Sequence, residues 1–180
     1  MKQLQIGIIL GSTRQGRVSP QVANWVKGIA DGRGDATYEI VDIAEFQLPF
    51  FGEGTGNEPG LVAWSKKLSS LDGFVFIVQE YNHSITGALK TALDSARTEW
   101  NNKAAGIVSY GSTGGARAAE HLRGILGELL VADVRAHPTF SIFADFENFQ
   151  TFNPAELHVG KVNAMLDELI AWSGALKTLR

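Results

Sequence analysis

The stretch Leu4-Gln5-Ile6-Gly7-Ile8-Ile9-Leu10-Gly11-Ser12-Thr13-Arg14-Gln15-Gly16-Arg17, with Val18-Ser19-Pro20 behind it, decides the fold. An apolar run that can be covered on both faces stops at a glycine, as a buried parallel strand does. A short loop of hydroxyls, glycines and two arginines follows, and then a helix start. Ser19 is placed to cap that helix, and Pro20 suits its first turn, where a missing N–H costs nothing. Strand, polar loop and helix N-terminus together form an anion site. Backbone N–H groups and the helix dipole point at the loop, and Ser12, Thr13, Arg14 and Arg17 can add donors.

The loop narrowly misses the P-loop that binds ATP or GTP. Gly11 and Gly16 have the right spacing, but Arg17-Val18 stands where Lys-Ser/Thr is required, which removes the obvious Mg²⁺ ligand. It also fails the dinucleotide fingerprint, because no G-x-G-x-x-G opens this loop or a later one. What remains is a site for a terminal phosphate monoester, such as that of FMN.

Working outward, Val22, Trp25, Val26 and Ile29 recur at helical spacing, and Asp31-Gly32-Arg33-Gly34 ends that helix. Tyr38–Asp42 reads as a second strand. A long loop runs from Ile43 to about Glu58, with Leu48-Pro49-Phe50-Phe51 and then Gly52, Gly54 and Gly56. A helix starting near Pro59 carries Leu61, Trp64, Leu68 and Leu71. The run Gly73–Val78 is almost wholly apolar, as a central parallel strand is. After the loop Gln79–Ser84 comes a helix with Leu89, Ala92, Leu93 and Ala96 on one face. A fourth strand, Ala104 to Tyr110, opens into Gly111-Ser112-Thr113-Gly114-Gly115 and a helix bearing Ala119, Leu122, Leu126 and Leu129. A fifth strand lies between Val131 and Phe143, and the last helix runs from about Pro154 with Val162, Leu166, Leu169 and Ile170 buried. Strands alternating with helices at this pace predict an α/β fold: three layers, with a five-stranded parallel sheet and helices on both faces. With strand order 2-1-3-4-5, the loops after strands 1, 3 and 4 converge where the order reverses, the edge at which such sheets bind ligands.

At 180 residues the chain reads as one domain spanning 1–180, large enough for a full core. A net charge of −3 and a pI near 5.8 give no general attraction to nucleic acid or to an anionic membrane. The apolar run Ile6–Leu10 is too short for a signal-peptide core or a membrane span, so a cytoplasmic location is expected. The absence of Cys excludes disulfides, iron–sulfur clusters, thiolate zinc and a cysteine nucleophile. Redox chemistry here requires an organic cofactor.

The two other loops carry further chemistry. Glu80-Tyr81-Asn82-His83 puts an acid, an aromatic face, an amide and an imidazole in one tight turn, suited to the edge of a planar heterocycle. A nucleophile elbow G-x-S-x-G is missing, and His121, His137 and His158 are too scattered for a metal set. The small residues of Ser109–Gly115 let backbone approach a ring closely.

At these residues the chain resembles the NADPH-dependent FMN reductase family, which includes quinone, azo and chromate reductases. The resemblance rests on Gly11-Ser12-Thr13-Arg14 with Arg17, and on Glu80-Tyr81-Asn82 with Gly87, Leu89-Lys90, Ala92 and Leu93-Asp94. Ser109-Tyr110-Gly111 with Gly114-Gly115 and Arg117 completes it, the whole running from about Ile6 to Ile125. It implies a flavodoxin-like fold, tightly held FMN, NADPH or NADH as electron donor and a small-molecule acceptor. It also implies a homodimer or homotetramer with flavins near subunit interfaces. By the same resemblance Ser12, Arg14, Arg17 and Ser19 would hold the FMN phosphate. Gln79, Glu80, Tyr81, Asn82 and His83 would line the isoalloxazine, with Ser109, Gly111 and Ser112 at its other edge. The cofactor would perform the chemistry in a ping-pong cycle, with no dedicated acid or base. The chain departs from the family at Gln79, where Pro commonly stands, and at Thr91, where Asn is commoner. The alternative is an electron-transfer flavoprotein without its own NAD(P)H oxidation, but its phosphate loop typically lacks arginines and its charge is usually more acidic. A third reading is a non-enzymatic nucleotide-binding or interaction module. Trp64, Trp100 and the stretch Phe140–Phe152 supply large apolar groups outside the expected sheet, which predicts self-association.

Overall fold

A computed structural model describes residues 3–53 and 55–180; Gly54 of the long loop lies outside them. The elements are β1 (Leu4–Leu10), α1 (Ser19–Asp31), β2 (Ala36–Asp42), a 3₁₀ turn (Ile43–Phe46), α2 (Pro59–Ser69), β3 (Gly73–Gln79) and α3 (Gly87–Asp94). They continue with β4 (Lys103–Gly111), α4 (Ala116–Glu128), β5 (Val131–Asp133), β6 (Thr139–Ser141), β7 (Phe146–Glu147), β8 (Thr151–Phe152) and α5 (Leu157–Leu176). The main sheet is parallel with order β2-β1-β3-β4-β5, as the alternation of strands and helices predicts. The strand order reverses between β1 and β3, so the loops following β1, β3 and β4 leave from one edge.

The period of two in the strands builds two cores. Ile6, Ile8 and Leu10 of β1, with Val75 and Ile77 of β3, face α1 and α5, where Val22, Val26, Met165 and Leu169 are buried. Ile9, with Phe74, Phe76 and Val78, faces the other way, against Trp64 and Leu68 of α2, Leu89 and Leu93 of α3, and Leu122 and Leu126 of α4. Every residue of β3 is buried, which accounts for its almost unbroken apolar sequence.

Two expectations need correction. The fifth strand is divided: β5 pairs with Lys103–Ala105 and β6 with Ser109–Gly111, both parallel to β4. Pro138 has no N–H to donate, and the chain bulges between the two pieces at this sheet edge. Beyond β6 the chain makes a small antiparallel hairpin, β7 with β8, within the stretch Phe140–Phe152. The two tryptophans are core residues and not interface groups. Trp64 and Trp100 are each fully buried, and their indole N–H groups donate to the carbonyls of Ala92 (2.8 Å) and Leu93 (3.1 Å). With the polar atom satisfied, burying the whole ring is favourable. Phe140, Phe146 and Phe152 likewise pack inward with Trp25, while Phe143 and Phe149 stay exposed and contact each other edge to face.

Candidate functional site

The site begins where β1 leaves the sheet. Gly11 N–H donates to the Ile77 carbonyl at 3.0 Å, and a Cβ on residue 11 would come within 2.8 Å of the same oxygen. Glycine alone lets the strand end lie this close to β3. The Gly11 carbonyl in turn accepts from Gln79 Nε2 and Thr86 Oγ1, and the Ser12 carbonyl accepts from Arg17 Nη1. Arg17 also forks onto the carboxylate of Asp42 at the end of β2. The guanidinium expected to meet the anion is therefore engaged by Asp42 and by the loop's own backbone.

Ser19 does not cap α1 from outside. It is the first helical residue, Val18 takes the cap position without a side-chain bond, and Pro20 sits in the first turn. The hydroxyls of Ser12 and Ser19 are both buried and have no hydrogen-bond partner. Among the described residues, the backbone N–H groups of 13–16, Val18 and Ser19 make no hydrogen bond within the chain. Arg14 lies exposed above them, its Nε donating to the Tyr81 hydroxyl at 2.7 Å. Buried hydroxyls without partners cost about 1–3 kcal/mol each in a closed protein. Free N–H groups, two such hydroxyls, a helix N-terminus and an arginine form a donor set complementary to a phosphate monoester. These residues fit the phosphate of FMN.

Along the β3–α3 loop, Gln79 is buried behind the Gly11 peptide and does not face outward as a ring-lining residue would. Tyr81 and Ser84 exchange backbone hydrogen bonds at 3.0 and 3.1 Å around a two-residue turn. Its central residues, Asn82 and His83, both have left-handed backbones (φ 49° and 67°), as a tight hairpin of this twist requires. Such conformations cost about 1–3 kcal/mol each and persist only where neighbours hold them. Here Arg117 is the holder. Its backbone N–H and side chain bind the buried Glu80 carboxylate, and its Nη1 donates to His83 Nε2 at 2.8 Å. Burial alone would raise the Glu80 carboxyl, but the Arg117 hydrogen bonds and charge, with the Ala118 and Arg117 N–H groups, hold it below the usual carboxylate range. Tyr81, Asn82 and His83 are exposed at the edge, where a planar ligand can meet them.

In the β4–α4 loop, Ser109 is another correction. It is fully buried, donating to the Gly114 carbonyl and pairing with His137 Nε2 at 2.8 Å, so it closes the turn from behind. Burial and then the Arg123 charge push His137 down to about 4, leaving a neutral ring beside the hydroxyl. Gly111 has the Glu80 Cβ and Gly115 backbone at 3.2 Å from any added Cβ, and Gly115 combines φ 74° with Tyr110 backbone at 2.8 Å. Ser112 and Thr113 form the exposed tip of this turn.

The three loops therefore meet as expected, but with a division of labour. Ser12, Arg14, Ser19, Tyr81, Asn82, His83, Gly111 and Ser112 lie at or under the edge, whereas Arg17, Gln79, Glu80 and Ser109 brace it. Sequence reasoning missed Asp42, Thr86 and His137. Asp42 ends the strand beside β1, so a 2-1-3 order already puts a carboxylate near Arg17. Thr86 has the N-cap signature of α3, its hydroxyl accepting from Leu89 N–H at 3.0 Å. A mainly apolar cleft of about 580 Å³, lined by Thr13, Ile43, Leu48, Phe50, Ala88 and Thr91 among others, opens beside the β1–α1 loop. No helix of the described residues is long and apolar enough to cross a membrane, and they contain no cluster of three metal-ligating side chains.

The family model for NADPH-dependent FMN reductase matches residues 4–145. The chain is 33% identical over 149 residues to an NAD(P)H-dependent FMN reductase of Schizosaccharomyces pombe, covering 78% of this chain and 74% of the relative. It is 38% identical over 131 residues to an NAD(P)H:quinone oxidoreductase of Solanum tuberosum, covering 68% of this chain and 66% of the relative. Among solved structures, the flavoenzyme NAD(P)H:(acceptor) oxidoreductase from Paracoccus denitrificans matches with a TM-score of 0.74 over 92% of this chain and 97% of that one. At 20% identity this is a likeness of fold alone.

Proposed function

Because this chain belongs to the NADPH-dependent FMN reductase family, oxidoreductases working with FMN and NAD(P)H, we propose that its three-loop edge holds FMN and serves electron transfer from NAD(P)H to a small-molecule acceptor. The acceptor class is a quinone, an azo compound, a metal oxyanion or free flavin, and the cycle is ping-pong, with the oxidised NAD(P)⁺ leaving before the acceptor enters. The observation that carries this reading is the pair of buried, unpartnered hydroxyls of Ser12 and Ser19 beneath a loop of free N–H groups. Residues 1–180 act as one FMN-binding domain.

FMN, when bound, supplies the hydride and electron chemistry. The chain's own residues position and insulate. Ser12, Ser19, Arg14 and the loop N–H groups bind the phosphate. Tyr81, Asn82 and His83 present the turn to the ring, with Gly111 and Ser112 at the opposite edge. Arg17, Gln79, Glu80 and Ser109 keep these surfaces in register. His83 accepts a hydrogen bond from Arg117 at Nε2 and has no required proton to deliver. The protein assembles as a homodimer or homotetramer, a reading supported by exposed Phe143 and Phe149 and by exposed Phe50 and Phe51 in the loop between β2 and α2. Sedimentation as a 19.4 kDa monomer at micromolar concentration would refute the assembly.

Fluorescence titration with FMN, FAD and riboflavin tests the site, and NADPH oxidation with a quinone tests the activity. Strong preference for FMN with acceptor-dependent NAD(P)H consumption is expected. Tight FMN binding without NAD(P)H oxidation would leave an electron carrier, and a colourless protein indifferent to all three flavins would refute the reading.

A further inference from the structure

The buried and half-buried side chains behind the β1–α1 loop form a connected set. Gln79 and Thr86, from the end of β3 and the start of α3, both donate to the carbonyl of Gly11. Arg17 donates to the carbonyl of the next residue, Ser12, and is itself held by both carboxylate oxygens of Asp42. A trans peptide is planar, so its C=O and the following N–H point in opposite directions. Holding the Gly11 carbonyl against β3 and α3 therefore turns the Ser12 N–H away from them. Holding the Ser12 carbonyl against Arg17 does the same for the Thr13 N–H. Among the described residues neither N–H has an acceptor, and both flank the buried, unpartnered Ser12 hydroxyl. Two donors on one carbonyl also polarise that amide and strengthen its N–H as a donor.

We propose that Gln79, Thr86 and the Arg17–Asp42 pair are positioning residues of the anion loop, fixing the Ser12 and Thr13 N–H groups for a phosphate by holding the carbonyls behind them. This rests on the reading that the loop takes the FMN phosphate. It assigns Gln79, where the family commonly has Pro, a role away from the ring, and Arg17 a role one step behind the phosphate. It also gives Asp42 a sign opposite to simple charge. A carboxylate near an anion site repels the anion, so neutralising it by charge alone strengthens binding. Removing the grip on Arg17 weakens it instead.

The test uses the full chain and titrates FMN and riboflavin, which lacks the phosphate, into Gln79→Met, Asp42→Asn, Thr86→Val and Thr86→Ser. Gln79→Met, Asp42→Asn and Thr86→Val each raise the FMN Kd about three- to tenfold, while riboflavin changes by less than about twofold. Thr86→Ser, which keeps the hydroxyl, stays within about twofold of the native chain for FMN. In ¹H–¹⁵N spectra without flavin, the Ser12 amide proton of Gln79→Met shifts upfield as the polarised peptide relaxes. Asp42→Asn binding FMN as well as or better than the native chain would overturn the proposal, as would an unmoved Ser12 amide. Loss of FMN and riboflavin affinity in equal proportion in Gln79→Met would overturn it too. A native chain that binds riboflavin as tightly as FMN signals a different failure, that of the phosphate reading itself. Apo-protein melting curves identify a variant that does not fold, and the Thr86→Ser and Thr86→Val pair then carries the decision.

Discussion

Replacing Glu80 with Gln tests how the ring-side turn is held. The carboxylate is 5% exposed and accepts from Arg117 backbone N–H at 3.1 Å and from its guanidinium, while Arg117 itself is 40% exposed. Gln keeps the shape and one acceptor oxygen but turns an NH₂ group toward a cation. Hydrogen bonds to charged groups contribute about 1.5–3 kcal/mol net, and the exposure of Arg117 argues for the lower part of that range. A loss of about 2 kcal/mol is expected, roughly 30-fold in the folding equilibrium and a fall of about 4–8 °C in Tm for a chain of this size. The pH dependence follows from the direction of the shift. The folded carboxyl lies below its ordinary value of 4.5, so its stabilisation is complete above 4.5 and is lost as pH falls through the folded value. The native chain should thus exceed Glu80→Gln by the full amount at neutral pH, and the gap should narrow as pH falls below 4.5 toward the folded value. Urea unfolding followed by tryptophan fluorescence over this range measures it. A gap of constant size down to pH 3, or none at pH 7, would refute the reasoning.

Arg14→Ala removes the exposed guanidinium above the phosphate donors and should weaken FMN at least about tenfold by fluorescence titration, because a charge-assisted bond is worth about 1.5–3 kcal/mol. His83→Ala should retain stoichiometric FMN and slow flavin reduction by NADPH less than about tenfold in stopped flow, below the range for an acid–base catalyst. A thousandfold loss with flavin fully bound would show that His83 takes part in the chemistry. His137, pushed down to about 4 by burial and by Arg123, is neutral in the folded chain. The unfolded chain binds a proton near the ordinary value of 6.5, so stability present above 6.5 is lost as pH falls toward 4. His137→Gln should flatten that part of the stability profile measured by urea titration.

The sequence by itself determined the sheet, its layers and the edge where chemistry gathers. Those are consequences of local pattern: continuous burial in Ile6–Leu10 and Phe74–Val78, helical spacing between strands, and loop residues at strand ends. It also determined which loop gathers donors complementary to a phosphate, because Gly11, Ser12, Arg14 and Ser19 are close neighbours along the chain. Only the tertiary structure decided which polar groups face the site and which brace it. Arg17 meets Asp42 across 25 positions, Gln79 meets Gly11 across 68 and Ser109 meets His137 across 28, and nothing local encodes these partners. A buried polar side chain goes wherever its hydrogen bond can be satisfied, which depends on what neighbouring strands bring alongside. The same reason moved Trp64 and Trp100 from an expected interface into the core: an indole is equally apolar in either place, and the carbonyls of Ala92 and Leu93 that accept its N–H exist as partners only after α3 has packed.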